Sequence, residues 1–329
     1  MFRMCFLAFM AVVGIRPTAL AEPPAPSDGP LGVEVADGLT LHDAARDKDL
    51  AYKVSYPADD GHYPLILFSH GFGGSKGAFS TIARHWAGQG YVVIQPTHAD
   101  GLGRRDGDRN AAGGRPGRLG AGGLLAGIND PNRVADRVAD LMLVLDSLAE
   151  IEKTTPALEG RIDAKRVGVG GHSFGAYTAM LIGGVTVDLG GEQDRSFRDR
   201  RVSCILPISA QGTGQQGLTE GSWAGLTIPM MTITGTRDRG AGGQGADWKK
   251  EPYAFSPPGS KYLVVIDGAN HFSFGGGLGP RGSDVTDVVK LTSTLFWDAF
   301  LKNSERARAC LQSDDLPAEA GGSYAFEKK

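Results

Sequence analysis

Three cysteines in 329 residues leave room for one disulfide at most. A charge of one sign is missing too. The chain holds 34 Lys and Arg against 37 Asp and Glu, a formal net charge of −3, which gives no electrostatic footprint for nucleic acid. No apolar run approaches the roughly 20 residues needed to cross a bilayer. There is no internal repeat and no Gly-X-Y period, which excludes a collagen-like chain. What is present is a 41% hydrophobic, 22% charged sequence, incompatible with disorder and with an all-coiled-coil chain. Its length suits one large α/β domain. Glycine is in excess, at 49 residues, about twice the usual share of ~7%.

Residues 1–21 have a positive start at Arg3, an apolar stretch from Met4 to Ile15, and Ala19-Leu20-Ala21 at the end. These are the parts of a secretory signal peptide, cleaved after Ala21. The expected product is secreted or periplasmic, with no stable membrane anchor. The proline-rich stretch that follows predicts a flexible leader over 22–37, overlapping a strand candidate at Val33–Leu41. The main domain is expected over 38–311 and a polar, fraying tail over 312–329. Cleavage leaves Cys204 and Cys310 in an oxidising compartment, either bridged or as two buried thiols.

Short apolar runs at Leu65–Phe68, Tyr91–Ile94, Val167–Val169, Cys204–Leu206, Met230–Ile233 and Tyr262–Ile266 are strand candidates. Their near-continuous apolar character fits strands covered on both faces. Helical patterns lie between them, near 79–89, 131–149, 173–182 and 284–301. In the second, Val134, Val138, Leu141, Leu145 and Leu148 share one face behind Pro131, a residue suited to a first turn. This alternation predicts an α/β fold with a mostly parallel, doubly wound sheet. Val33–Leu41 and Leu50–Tyr56 are expected to add antiparallel strands at the N-terminal edge.

Gly171-His172-Ser173-Phe174-Gly175 places a serine in G-x-S-x-G, directly after a strand and before a helix. In that context the turn is strained and pushes the hydroxyl out at the top of the sheet, with glycines where side chains would collide. Upstream, Ser69-His70-Gly71-Phe72-Gly73-Gly74 ends a strand in a glycine loop. Acyl transfer needs two N–H donors for the developing oxyanion. The Phe174 amide is expected to supply one and the Phe72 amide the other. His70 and His172 are read as fixing their turns. In the chain order Ser, acid, His, the general base must follow Ser173, and of the seven histidines only His271 does. Asp238, after the Met230–Ile233 strand, is the expected acid, with Asp267 as rival. The exit of the Cys204 strand, Ser209-Ala210-Gln211, offers no carboxylate.

With these pieces in place, the chain resembles the α/β-hydrolase superfamily. More narrowly, it is similar to the dienelactone-hydrolase-like group, with relatives among platelet-activating-factor acetylhydrolases and cutinases. The resemblance rests on FSHGFGG, NRVADRVADLMLVLDSL, DAKRVGVGGHSFGAYTAM, TIPMMTITGTRD and GANHFSF, between about Leu39 and Phe300. It implies a single-domain serine esterase with a Ser173–His271–Asp238 triad and an aromatic residue at Phe72 flanking the substrate. Dienelactone hydrolases carry a cysteine nucleophile, so Ser173 argues against that activity. The acetylhydrolases usually place their acid one strand earlier, so the arrangement is closer to the cutinases. The implied substrate is a small-molecule or polymeric ester, hydrolysed through an acyl-enzyme without cofactor or metal by a monomer. A polyester hydrolase, a lipase-like acetylhydrolase and a non-catalytic binding module are the alternatives.

Three groups stay open. Residues 100–127, rich in Gly, Arg and Asp, form a long loop that is either a flap over the site or a solvated, self-neutralising segment. Trp223, Trp248, Phe272 and Phe274 either line an acyl pocket or pack beneath loops. Lys249 and Lys250 read as a solvated turn.

Overall fold

The computed structural model describes residues 31–101, 121–276, 282–313, 316 and 323–329. The expected signal segment, most of the leader and residues 102–120 lie outside that set. The chain opens with β1 (Val33–Asp43), β2 (Lys48–Pro57), β3 (Tyr63–Ser69), α1 (Ser80–Gly88) and β4 (Val92–Pro96). Helices α2 (Ala121–Ile128), α3 (Pro131–Asp146) and α4 (Leu148–Thr154) follow, then β5 (Ile162–His172) and α5 (Phe174–Gly183). A small hairpin, β6 (Val187–Leu189) and β7 (Glu192–Arg195), precedes β8 (Val202–Ile208) and β9 (Met230–Gly235). The chain closes with α6 (Glu251–Phe255), β10 (Lys261–Ile266), α7 (Gly282–Phe300), α8 (Glu305–Gln312) and β11 (Tyr324–Lys328).

Nine strands form one sheet in the order β1-β2-β4-β3-β5-β8-β9-β10-β11. Pairing is parallel from β4 to β10 and antiparallel at β1–β2, β2–β4 and β10–β11. This is the α/β-hydrolase fold in a single domain, with the antiparallel N-terminal edge that the sequence predicts.

Successive side chains of each strand point to opposite faces, and both faces are covered. Leu65, Leu67, Val92, Ile94 and Ile205 pack against α3 and α5. Ile66, Phe68, Val93, Leu206 and Ile233 pack against α1, α7 and α8 on the other side. Helix α3 begins where Asp130 caps it, accepting from the Asn132 amide at 2.9 Å, with Pro131 in the first turn. Its Val134, Val138, Leu141 and Leu145 are buried, each contributing about 1.5–3 kcal/mol on removal from water.

Three boundaries differ from the sequence reading. Strand β1 opens at Val33, so the leader does not extend to residue 37. The helix expected over 131–149 breaks at Ser147, whose amide closes α3 onto Leu143 and Val144. The C-terminal tail is not all frayed: β11 pairs with β10 from Tyr262–Lys328 to Ile266–Tyr324. Only Tyr324 and Phe326 of β11 face the core, too weak an apolar signal to read as a strand without its partner.

Candidate active site

Strand β5 delivers Ser173 to the carboxyl end of the sheet at φ 55°, ψ −118°. A non-glycine residue there stores on the order of 1–3 kcal/mol of strain, which the surroundings must hold. They do so tightly. The Ser173 amide donates to the Ile208 carbonyl of β8 at 3.0 Å. A Cβ on Gly171 would lie 2.2 Å from the Gly175 carbonyl oxygen, and one on Gly175 would lie 1.9 Å from that of Ser69. The elbow glycines are therefore demanded by backbone contacts between β3, β5 and α5.

Asp238 and His271 come together after β9 and β10. Gly235 permits this, because a Cβ there would meet the Ala269 carbonyl oxygen at 2.3 Å. His271 Nδ1 lies 3.2 Å from Oδ1 of the fully buried Asp238, whose Oδ2 accepts from Thr234 Oγ1 at 3.0 Å. Burial pushes the Asp238 carboxyl up, but the hydrogen bond with His271, the charge of Lys249 and the hydrogen bond with Ser209 outweigh it and hold the acid below its ordinary range. The rival Asp267 instead accepts from Thr236 Oγ1 at 3.1 Å, at an exposed position. His271 has two further partners: Ser209 Oγ, 2.9 Å from Nδ1, and His172, which donates from Nε2 to the His271 carbonyl at 2.8 Å. No hydrogen bond joins Ser173 to His271 among the described residues, a looseness common in unliganded catalytic sites. His172 stays neutral, its pKa depressed to about 3 by burial and by His271. It holds the His271 turn in place.

The Phe72 and Phe174 amides have no hydrogen-bond acceptor among the described residues. The Gly71 backbone abuts the elbow, since a Cβ there would lie 3.3 Å from Ser173 Cβ. Phe72 packs on Phe174, with ring centroids 6.2 Å apart, and directly against the α2 backbone at Gly127.

Beneath this loop lies a buried polar network. Arg137 of α3 donates to the carbonyls of His70 at 2.8 Å and Gly71 at 3.3 Å, and pairs with Asp100 at 3.0 Å. Its guanidinium sits 4.5 Å over the Phe174 ring. His98 donates from Nδ1 to the buried Asp140 at 2.9 Å and its Nε2 accepts from Ser69 Oγ at 2.8 Å. Although this contact has ion-pair geometry, burial and the charges of Arg137, Lys48 and Arg46 depress the His98 pKa strongly, so its ring is neutral. The His98 amide donates to Nε2 of His70, whose Nδ1 donates to Gly71 at 2.6 Å. His70 thus fixes the loop, as its sequence position predicts.

Other sequence readings change. Asp100 is paired with Arg137 of α3, and 121–128 is helix. The flap or solvated-loop question lies outside the described residues. Trp223 and Phe274 are fully buried packing residues, while Phe272 is 81% exposed with its ring 5.2 Å from that of His271. Cys204 and Cys310 are both free. Lys249 is not in a solvated turn: it is 1% exposed and donates to the Ser209 carbonyl at 3.0 Å. Nothing in its local sequence signals this.

A surface groove of about 660 Å³, lined by Glu34, Asp60, Glu159 and Arg161 among others, lies at the amino ends of the strands, away from Ser173. Among the described residues no three His, Cys, Asp or Glu are grouped to hold a metal ion, and no helix is long and apolar enough to cross a membrane.

The buried bases predict how stability follows pH. Burial lowers His70, His98 and His172 below 6.5, and lowers Lys249 and Lys261 from 10.5 to about 8. All five are depressed on folding, so the unfolded chain binds the extra protons and stability rises with pH in both windows. Below pH 6.5 each histidine is expected to cost up to about 1.4 kcal/mol per pH unit. Between about pH 8 and 10 the unfolding temperature should climb again, and Lys249→Met should reduce that climb. Calorimetric scans from pH 4 to 10 check both, and a wild-type profile falling above pH 8 would contradict the lysine assignment.

The strand order is that of the α/β-hydrolase fold, with a strained serine after β5 and an Asp–His pair after β9 and β10. The family model described as platelet-activating factor acetylhydrolase, isoform II, matches residues 45–103, which hold β2, β3, the Phe72 loop, α1 and β4. The chain is similar to cutinase est2 of Thermobifida alba, at 22% identity over 222 residues, covering 67% of this chain and 56% of that protein. It is also similar to a platelet-activating factor acetylhydrolase of Cavia porcellus, at 23% identity over 288 residues, covering 77% and 62%. The chain thus spans less than two thirds of the length of either curated relative.

Proposed function

We propose that the protein is an exported serine hydrolase of carboxylic esters, working through a Ser173–His271–Asp238 triad and an acyl-enzyme. Ser173 Oγ attacks the ester carbonyl, and His271 Nε2 takes the proton and returns it to the leaving alcohol. Water, activated by the same nitrogen, then releases the acid. Asp238 holds the Nδ1–H tautomer. The Phe72 and Phe174 amides receive the oxyanion of each tetrahedral intermediate, each donor worth roughly 3 kcal/mol. Export rests on the signal-like residues 1–21.

The observation that carries this reading is the convergence of three features at one sheet end: Ser173 at positive φ, the Asp238–His271 contact at 3.2 Å, and two unspent amides. Treatment with a fluorophosphonate should label the protein once, on the tryptic peptide containing Ser173. A folded sample that resists labelling would exclude the reading. Phe272 favours an apolar or polymeric ester as the second reading, because an aromatic ring 81% exposed beside His271 offers an apolar rim to a substrate surface. Rates on p-nitrophenyl esters of increasing chain length, beside acid release from a polyester film, separate the two.

A further inference from the structure

Ser209 is fully buried at the carboxyl end of β8, the strand between β5, which delivers Ser173, and β9, which leads to Asp238. Its backbone is left-handed, at φ 52°, one of eight non-glycine residues with positive φ among the described residues. In a buried serine such a conformation persists only where its surroundings impose it. Here they do: the Ser209 amide donates to the Ile233 carbonyl at 2.7 Å, and its own carbonyl accepts from Lys249 Nζ at 3.0 Å. The result aims Oγ at the imidazole. Oγ is 2.9 Å from His271 Nδ1, closer than Asp238 Oδ1 at 3.2 Å. Nδ1 carries one proton when Nε2 is the general base, and so does the serine hydroxyl. Nδ1–H can then only donate, and two acceptors face it: Ser209 Oγ at 2.9 Å and Asp238 Oδ1 at 3.2 Å.

We propose that Ser209 is a positioning residue for the general base, its hydroxyl oxygen holding the imidazole at Nδ1 beside the Asp238 carboxylate, with Lys249 fixing its backbone. The inference rests on the reading of His271 as the base. Lys249 has a second effect in this arrangement: the charge of its buried ammonium helps to hold the Asp238 carboxylate ionised.

Ser209→Gly provides the cleanest test. Glycine adopts φ near +52° without strain, so the variant keeps the backbone and loses the hydroxymethyl side chain. Ser209→Ala, which loses the hydroxyl and keeps the strain, is the second variant. Both are expected to lower kcat about tenfold, the worth of one hydrogen bond to a charged partner, with KM unchanged and the melting temperature of Ser209→Gly within a few degrees of wild type. In proton spectra of the full chain, the downfield Nδ1–H resonance assigned to His271 by its loss in His271→Gln should move upfield in both variants. Unchanged kcat, or an unmoved resonance, overturns the proposal. If the wild type resists fluorophosphonate labelling, the esterase reading is what has failed. The resonance then still decides whether Ser209 holds the imidazole.

Discussion

Asp238→Asn is expected to lower kcat by about 10⁴-fold with little change in KM, whereas Asp267→Asn should leave both parameters within about twofold. Both acids follow strands at the same end of the sheet, and Asp267 is nearer to His271 in sequence. Of the two acids Asp238 alone reaches Nδ1, at 3.2 Å, from a fully buried position where its charge is screened little. An asparagine there brings no negative charge to hold the Nδ1–H tautomer, or donates to Nδ1 and stabilises the wrong one. The ring then cannot accept the Ser173 proton at Nε2. Asp267 is exposed and tied to Thr236, so its neutralisation removes a solvated charge far from the imidazole's polar edge. Steady-state kinetics on a p-nitrophenyl ester, with circular dichroism to confirm folding, decide the matter. Equal losses in the two variants would remove Asp238 from its role.

Gly175→Ala is expected to destabilise the fold by more than about 4 kcal/mol, a size reserved for severe core disruption. The new Cβ would lie 1.9 Å from the Ser69 carbonyl oxygen, 2.5 Å from the Ser69 carbonyl carbon and 2.7 Å from the His70 carbonyl oxygen. All three are backbone atoms at the end of β3, so no side chain can swing aside. The end of β3 or the start of α5 must move by more than an ångström, in an interior packed as densely as a crystal. At roughly 2–4 °C per kcal/mol for a chain of this size, the unfolding temperature should fall by about 10 °C or more. The carbonyls of His70 and Gly71 would also be pulled from Arg137, spoiling the Phe72 amide. Gly225→Ala is the matched control: nothing lies within 4 Å of its added Cβ, and wild-type stability is expected. A Gly175→Ala protein with the wild-type melting temperature would mean that the elbow is looser than its contacts imply.

The fold was legible in the sequence wherever neighbouring residues carry the signal. Leu65–Phe68 and Tyr262–Ile266 read as buried parallel strands because both faces of such a strand are covered, whatever covers them. Strand β11 did not read, because its identity as a strand comes from pairing with β10 and not from its own apolar pattern. The candidate site divides in the same way. Ser173 was visible from its flanking glycines, and His271 from being the sole histidine after it. Ser209 is not legible, because a position without a carboxylate carries no local sign of a role. Lys249 is not legible as buried, because an isolated Lys-Lys pair is usually solvated.

By itself, the sequence determined the alternation of the central strands with their helices, the elbow, the two glycine loops and the candidate nucleophile, acid and base. Each of these depends on spacing along one chain. Tertiary structure alone decided which charges are buried and what they hold: Arg137 under the Phe72 loop, Asp140 against His98, and Lys249 on the Ser209 carbonyl. The physical reason is that desolvating a charge is tolerable only where partners from distant segments converge on it. That convergence is a property of the packed molecule, which no local run of residues records.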